Sequence, residues 1–150
     1  LLFLLLLLLL STEDRNLKVT SFGKCCYMKP KSKLSWQEAK EYCEVTFPNG
    51  HLATINTHQE AHAIYFFDRS DRNPRWLGGV RGANGWENVD GSPFRADELE
   101  LWYVDEPSNL PGENCMTMGR TRTDDQSLLN DSLCRNKFRF ICEVCYDNSP

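Results

Sequence analysis

Long apolar runs are scarce in this 150-residue chain. The one uninterrupted run, Leu1–Leu10 with Phe3 among the leucines, is far shorter than the roughly 20 residues that a membrane-spanning helix needs. It has the length of the apolar part of a signal peptide. With no initiator methionine and no basic stretch ahead of it, residues 1–10 read as a truncated leader, with no membrane anchor expected. Basic residues form no block: Arg69, Arg72, Arg75, Arg81, Arg95, Arg120, Arg122, Arg135 and Arg139 are scattered, and the formal net charge is −4. Long-range attraction to nucleic acid or anionic lipid is therefore excluded as an organising feature. Beyond Leu10 there is no internal repeat and no low-complexity tract. A Ser-His-Asp order and a phosphate-cradling glycine loop are both missing, which argues against an enzyme. Histidine is sparse, and the pair in His58-Gln59-Glu60-Ala61-His62 places its glutamate one position too late for the zinc-hydrolase pattern.

Cysteine, by contrast, is plentiful: Cys25, Cys26, Cys43, Cys115, Cys134, Cys142 and Cys145. A leader followed by this many cysteines indicates an oxidising, extracellular compartment and a disulfide-supported fold. The number is odd, so one thiol is left free or bonds another chain, and the spacing alone does not choose the pairs. The length suits one domain with a single core.

Residues 11–24 are short, polar and mixed, and lead to a first strand near Cys26-Tyr27-Met28. Ser35-Trp36-Gln37-Glu38 is a capping box, in which hydroxyl and carboxylate satisfy each other's backbone N–H groups. In the helix it opens, Trp36, Ala39 and Cys43 share one face. Pro48-Asn49-Gly50 is a turn, 51–55 is strand-like, and Thr57-His58-Gln59-Glu60 caps a second helix running through Ala61, Ile64 and Tyr65 toward Phe67. Then the character changes. Trp76–Val80 reads as a short strand, Asn84-Gly85 and Asp90-Gly91 as turns, and Cys115–Met118 and Phe138–Cys142 alternate like strands. Two early helices followed by strand and loop indicate an α+β fold. The irregular stretch from Ser92 to Asp131, rich in Pro, Gly, Asn and Asp, is long enough to imply function, or support by metal or disulfide.

Within and after that stretch stand Glu106-Pro107-Ser108, Glu113-Asn114-Cys115, Asn130-Asp131 with Cys134, and Phe140-Ile141-Cys142-Glu143. Together with Cys26-Tyr27, Gly50–Ile55, Trp76-Leu77-Gly78, Trp86 with Asp90-Gly91, and Trp102, these pieces in order resemble the C-type lectin domain, across residues 25–146. The resemblance implies two helices, small antiparallel sheets, adjacent terminal strands and long upper loops that carry Ca²⁺. It implies the bridges Cys43–Cys142 and Cys115–Cys134. Adjacent termini then give Cys145 a partner in Cys26, with Cys25 the alternative. Left over, Cys25 would be available for a homo-oligomer.

The resemblance also implies an ion held by Glu106, Ser108, Glu113, Asn130 and Asp131, with a cis proline at Pro107. Of these, Glu106, Ser108, Glu113 and Asn130 would share hydroxyls of a bound glycan. Three carboxylates and an amide carbonyl are hard oxygen donors, which is what Ca²⁺ takes. Ser108 departs from the family pattern, which has Asn or Asp there. Its hydroxyl is shorter and offers no amide N–H to a sugar. Glu106 leans toward the mannose-type pattern. The expectation is a secreted, calcium-dependent lectin; the alternative is a calcium-independent relative that binds protein, ice or mineral. Arg81 stands where some members place an acid for an auxiliary ion, so no strong auxiliary site of that kind is expected. Asn130-Asp131-Ser132 is formally an N-glycosylation acceptor, and a glycan there would exclude the ion. The four tryptophans are expected in the core and packing the loops rather than stacking on sugar.

Overall fold

A computed structural model describes residues 17–67, 73–119 and 128–146. The leader run, residues 11–16, and Arg69, Arg72, Arg120 and Arg122 lie outside them. The first helix, α1 (Trp36–Thr46), opens with the expected reciprocal cap: Glu38 N–H donates to Ser35 Oγ at 3.3 Å and Ser35 N–H to Glu38 Oε2 at 2.8 Å. Lys137 also reaches that carboxylate, and with the cap it holds Glu38 down at about 2. Trp36, Ala39 and Cys43 are buried on the inner face. The second helix, α2 (His58–Phe67), is capped differently from expectation. Glu60 N–H donates to Thr57 Oγ1, but the Glu60 carboxylate accepts from Asn56 N–H, one residue before the cap. His58 on this helix is exposed, and His62 stacks on Phe66.

The strands are β1 (Lys18–Phe22), β2 (Cys25–Lys29), β3 (His51–Leu52), β4 (Arg75–Gly82), β5 (Gly85–Asn88), β6 (Cys115–Met118), β7 (Leu129–Ser132), β8 (Arg139–Phe140) and β9 (Cys142–Cys145). They form two sheets. One has the antiparallel order β1-β2-β9-β3 and brings the two ends of the domain together. The other has the order β5-β4-β6-β7, with β8 parallel to β4. β1 lies in the segment read as a polar lead-in; its Val, Thr and Phe suit a pleated edge, and it pairs along its length with β2. The alternating stretch Phe138–Cys142 is not one strand. It breaks at Ile141, whose N–H donates to Trp76 O and whose carbonyl accepts from Ala53 N–H, so the chain leaves one sheet and enters the other at that residue. The expected Asn84-Gly85 turn sits one residue earlier, at Ala83-Asn84, with Gly85 already paired to Gly82.

Two apolar clusters fill the space between sheets and helices. One gathers Tyr27, Leu77, Met116, Leu129 and Ile141; the other gathers Met28, Trp36, Phe47, Trp76 and Phe140. Trp36 ties the two together, its indole donating to Leu77 O, while the indole of Trp76 donates to Leu34 O within the second cluster. Gly78 makes a close crossing possible: a β-carbon there would lie 2.7 Å from the carbonyl oxygen of Leu52. Trp36, Trp76 and Trp102 are buried and Trp86 is half-buried against Phe94 and Trp102, so all four are packing residues.

Three disulfides are formed. Cys43–Cys142 and Cys115–Cys134 are those the resemblance implies. The third corrects the preferred pairing: Cys145 bonds Cys25, and Cys26 is the free cysteine. Strand register decides this, because Cys25 lies opposite Cys145 with α carbons 3.9 Å apart, while Cys26 lies opposite Val144. Side chains alternate across a strand, so Cys26 turns with Met28 and Val144 toward the α1 side and away from Cys145. Cys25 is consequently not available to join another chain.

Candidate functional site

From Val89 to Asn114 the described chain has neither helix nor strand, yet it is tied down. Leu101 is buried and its carbonyl accepts from the N–H groups of Leu128 and Leu129; Tyr103 N–H then donates to Leu129 O. The loop is thus fastened to the start of β7, the strand that carries Asn130 and Asp131. Asp105 and Asn109 adopt φ of 66° and 55°, a left-handed region that Asp and Asn tolerate better than most residues. The Glu106–Pro107 peptide bond between them is cis, as the resemblance implies.

Ser108 is the hub. Its N–H donates to Glu106 Oε2 at 2.7 Å and to Asp131 Oδ1 at 3.0 Å, and its hydroxyl donates to Glu113 Oε2 at 2.6 Å. Asn109 N–H donates to Asp131 Oδ2 at 2.9 Å. Four of the five expected residues are therefore drawn together through the backbone and hydroxyl of Ser108. The fifth, Asn130, is next in the chain to Asp131. Its Oδ1 is shielded from water with no hydrogen-bond partner, a costly state for an amide oxygen unless another ligand takes it. As Asn130 is also locked into β7 opposite Thr117, its acceptor sequence is poorly presented for glycosylation.

Burial raises the Glu106 carboxyl above the usual range, and the hydrogen bond and charge of Asp131, with the charge of Glu113, push the same way. Crowded acids of one sign with an orphaned amide oxygen suit a hard cation chemically. The carboxylates are nevertheless not yet closed on one point. Among the described residues, the ligand atoms that lie within 4.8 Å of one another in a group of three belong to Cys25, Glu143 and Cys145. The two sulfurs of that group are bonded to each other, which leaves Glu143 as its one hard donor. Glu143 has structural work: it accepts from Thr54 N–H at 2.8 Å and faces the Tyr27 hydroxyl at 3.4 Å. Burial raises the carboxyl of Glu143 and drives the Tyr27 phenol far above its ordinary value.

Two participants were not foreseen. Asn109 ties the loop twice, through its N–H to Asp131 and through its side-chain amide to Pro107 O at 2.8 Å. Arg81, at the end of β4, donates from its guanidinium to Asn109 Oδ1 and from its backbone to Asn114 O, and lies 5.0 Å over the Trp86 ring. The sequence signal for Asn109 was only that of a turn former, and Arg81 is 28 residues away.

The human protein "C-type lectin domain family 17, member A" is 36% identical over 125 residues, 81% of this chain, though the chain spans only 29% of that protein's length. The mouse scavenger receptor C-type lectin carbohydrate-recognition domain superposes with a TM-score of 0.72 at 28% identity, over 88% of this chain and 97% of that one. Herring type II antifreeze protein shares the fold alone, at 21% identity and a TM-score of 0.71, over 92% of this chain and 100% of its own. A model of the lectin C-type domain matches residues 32–144, and with that match the chain belongs to the C-type lectin domain family.

Proposed function

We propose that this domain is a secreted, calcium-dependent carbohydrate-binding lectin, its ion held by Glu106, Ser108, Glu113, Asn130 and Asp131. Membership of the family makes it a binding module and not a catalyst. The observation that carries the proposal is the joining of three acids, Glu106, Glu113 and Asp131, through one serine; Asn130, next to Asp131 in the chain, adds an unpartnered, water-shielded Oδ1. Calcium supplies charge neutralisation and a template for vicinal sugar hydroxyls; the chain supplies the oxygen donors and keeps them apart. Glu106, Ser108, Glu113 and Asn130 face the glycan in this reading, with mannose-type sugars slightly favoured. Single shallow sites of this kind are weak, so clustering in a homo-oligomer would give avidity. No described helix is long and apolar enough to cross a membrane.

A second reading has its own support. Asp131 already accepts two backbone N–H groups and Ser108 already satisfies Glu113, so the loop holds its shape without an ion. That favours a calcium-independent scaffold with a protein, ice or mineral ligand. Isothermal titration of the chain with Ca²⁺ separates the two. Uptake of one equivalent, lost in Glu113→Gln and in Asn130→Ala, supports the lectin site; no uptake at millimolar calcium overturns it.

A further inference from the structure

The departure at Ser108 and the placement of Arg81 bear on the same surface. Ser108 offers a sugar no amide N–H. Arg81 ends β4 between two pieces of the site: its side chain reaches Asn109, next to Ser108, and its backbone N–H holds Asn114, next to Glu113. The Trp86 face below it and the Asn109 carbonyl beside it fix the guanidinium in one orientation. Among the described residues it has no carboxylate within salt-bridge distance, although Asp131 is one hydrogen bond beyond Asn109. Guanidinium carries five N–H donors in a planar fork, and Asn109 occupies part of it. The half-buried arginine therefore keeps donors and a full positive charge at the rim of the site.

We infer that Arg81 is a specificity-determining residue that directs this site toward glycans bearing an anionic group, a sulfate or a uronic-acid carboxylate. This rests on the lectin reading above and deepens it. Neutral and anionic sugars alike lose the contact that Ser108 no longer gives. An anionic one, held by the same hydroxyl-coordinating site, gains a charge-assisted fork from Arg81. The loss at Ser108 cancels between the two kinds of ligand, so the preference rests on Arg81. At a solvent-exposed rim the gain corresponds to roughly a 1.5- to 5-fold preference, the range of an exposed ion pair, and it fades with added salt.

The test uses the full chain with its three disulfides and columns bearing galactose, galactose 6-sulfate, galacturonic acid, mannose or mannose 6-sulfate. Retardation is measured in Ca²⁺ and in EDTA, with calcium uptake titrated in parallel. The ratio of anionic to neutral retardation is taken within each variant, so a change in calcium affinity or in folded fraction cancels. The expected result is an EDTA-sensitive ratio above one that drops to about one in Arg81→Gln, falls below one in Arg81→Glu and survives in part in Arg81→Lys. Preference for the sulfates alone or the uronate alone supports the inference and names the anion. Calcium uptake and EDTA-sensitive retardation with a ratio of one, or with a ratio unchanged in Arg81→Gln, overturns the inference and leaves the lectin reading standing; Arg81 is then only a strut for Asn109. Anionic retardation that persists in EDTA also overturns it, as plain ion exchange. No calcium uptake and no EDTA-sensitive retardation on any column overturns both.

Discussion

Removing the Cys25–Cys145 bridge should cost less than its span suggests, because that bridge is nested around another. The two cysteines are 120 residues apart, and chain-entropy arithmetic for a loop of that length gives about 4.9 kcal/mol at 25 °C. Cys43–Cys142 already closes 99 of those residues. With that bond intact, the denatured chain that Cys25–Cys145 further restrains is only the stretch from Cys25 to Cys43 plus that from Cys142 to Cys145, 21 residues as the difference of 120 and 99. The same arithmetic then gives about 3.3 kcal/mol, so the two bonds overlap by about 1.6 kcal/mol. The double variant Cys25→Ala/Cys145→Ala should therefore lose about 3.3 kcal/mol in guanidinium denaturation, which for a domain of this size lowers Tm by roughly 10 °C. Repeated in a Cys43→Ala/Cys142→Ala background, where Cys115–Cys134 still closes 19 of the 120 residues, the same change should cost about 4.7 kcal/mol. Cys26→Ala, which breaks no bridge, should cost about 1 kcal/mol or less. A loss of about 4.9 kcal/mol in the native background would refute the nesting argument. A loss for Cys26→Ala as large as that for the Cys25 variant would refute the pairing itself, and peptide mapping of the unreduced protein would show it directly.

Gly78→Ala places a methyl 2.7 Å from a backbone carbonyl that has nowhere to move, and should destabilise by roughly 2–3 kcal/mol, read by denaturant titration. Glu38 is depressed to about 2 by Lys137 and the Ser35 cap; its contribution is full above the ordinary glutamate range and lost as pH falls from there through about 2. Lys137→Met should flatten that part of the acid limb, and an unchanged acid profile would count against the ion pair. Glu106 is raised, so the calcium-free fold binds that proton more tightly than the unfolded chain does, and this group makes stability fall as pH rises through its range. Calcium needs the deprotonated form, so its affinity should weaken on acidification, beginning above the ordinary glutamate range; equal calcium affinity at pH 7 and pH 5 would contradict this. Asp131→Asn in EDTA replaces one acceptor of two loop N–H groups by an amide NH₂, and should cost about 1–3 kcal/mol and raise proteolysis within residues 105–114, checked by limited digestion.

What the sequence disclosed follows from which forces are local. Capping boxes, helix faces and turn residues act within a few positions, so both helices were legible to within a residue or two of their ends. The split of Phe138–Cys142 was not, because residues 139–140 and 142–145 alternate equally well whichever sheet they join. Only Trp76 and Ala53, distant in sequence, decide that Ile141 is the crossing point. The Cys25 and Cys26 ambiguity has the same origin: adjacent cysteines on a strand face opposite ways, and register, a long-range property, selects one. The second helix cap shows a local rule bent by packing, since Glu60 reaches Asn56 N–H at 2.7 Å in place of the N–H of its own cap residue.

The candidate site divides along the same line. Its acids could be named because the order of the surrounding pieces resembles the family pattern, whereas the residues that position them carry no such signal. Ser108 looks in the sequence like the loss of a ligand. In the fold its backbone N–H, which any residue but proline would supply, holds Glu106 and Asp131, while its hydroxyl, which is particular to serine, reaches Glu113. The serine hydroxyl thus adds a brace to Glu113, and with the backbone N–H it holds like charges together at a cost visible in Glu106. Arg81 offsets part of this repulsion from the far side of Asn109. Under the lectin proposal, the three acids with a divalent ion carry a net charge of about −1, which the arginine would bring close to neutral. That balance is what would lower the barrier to an anionic ligand in the proposed site.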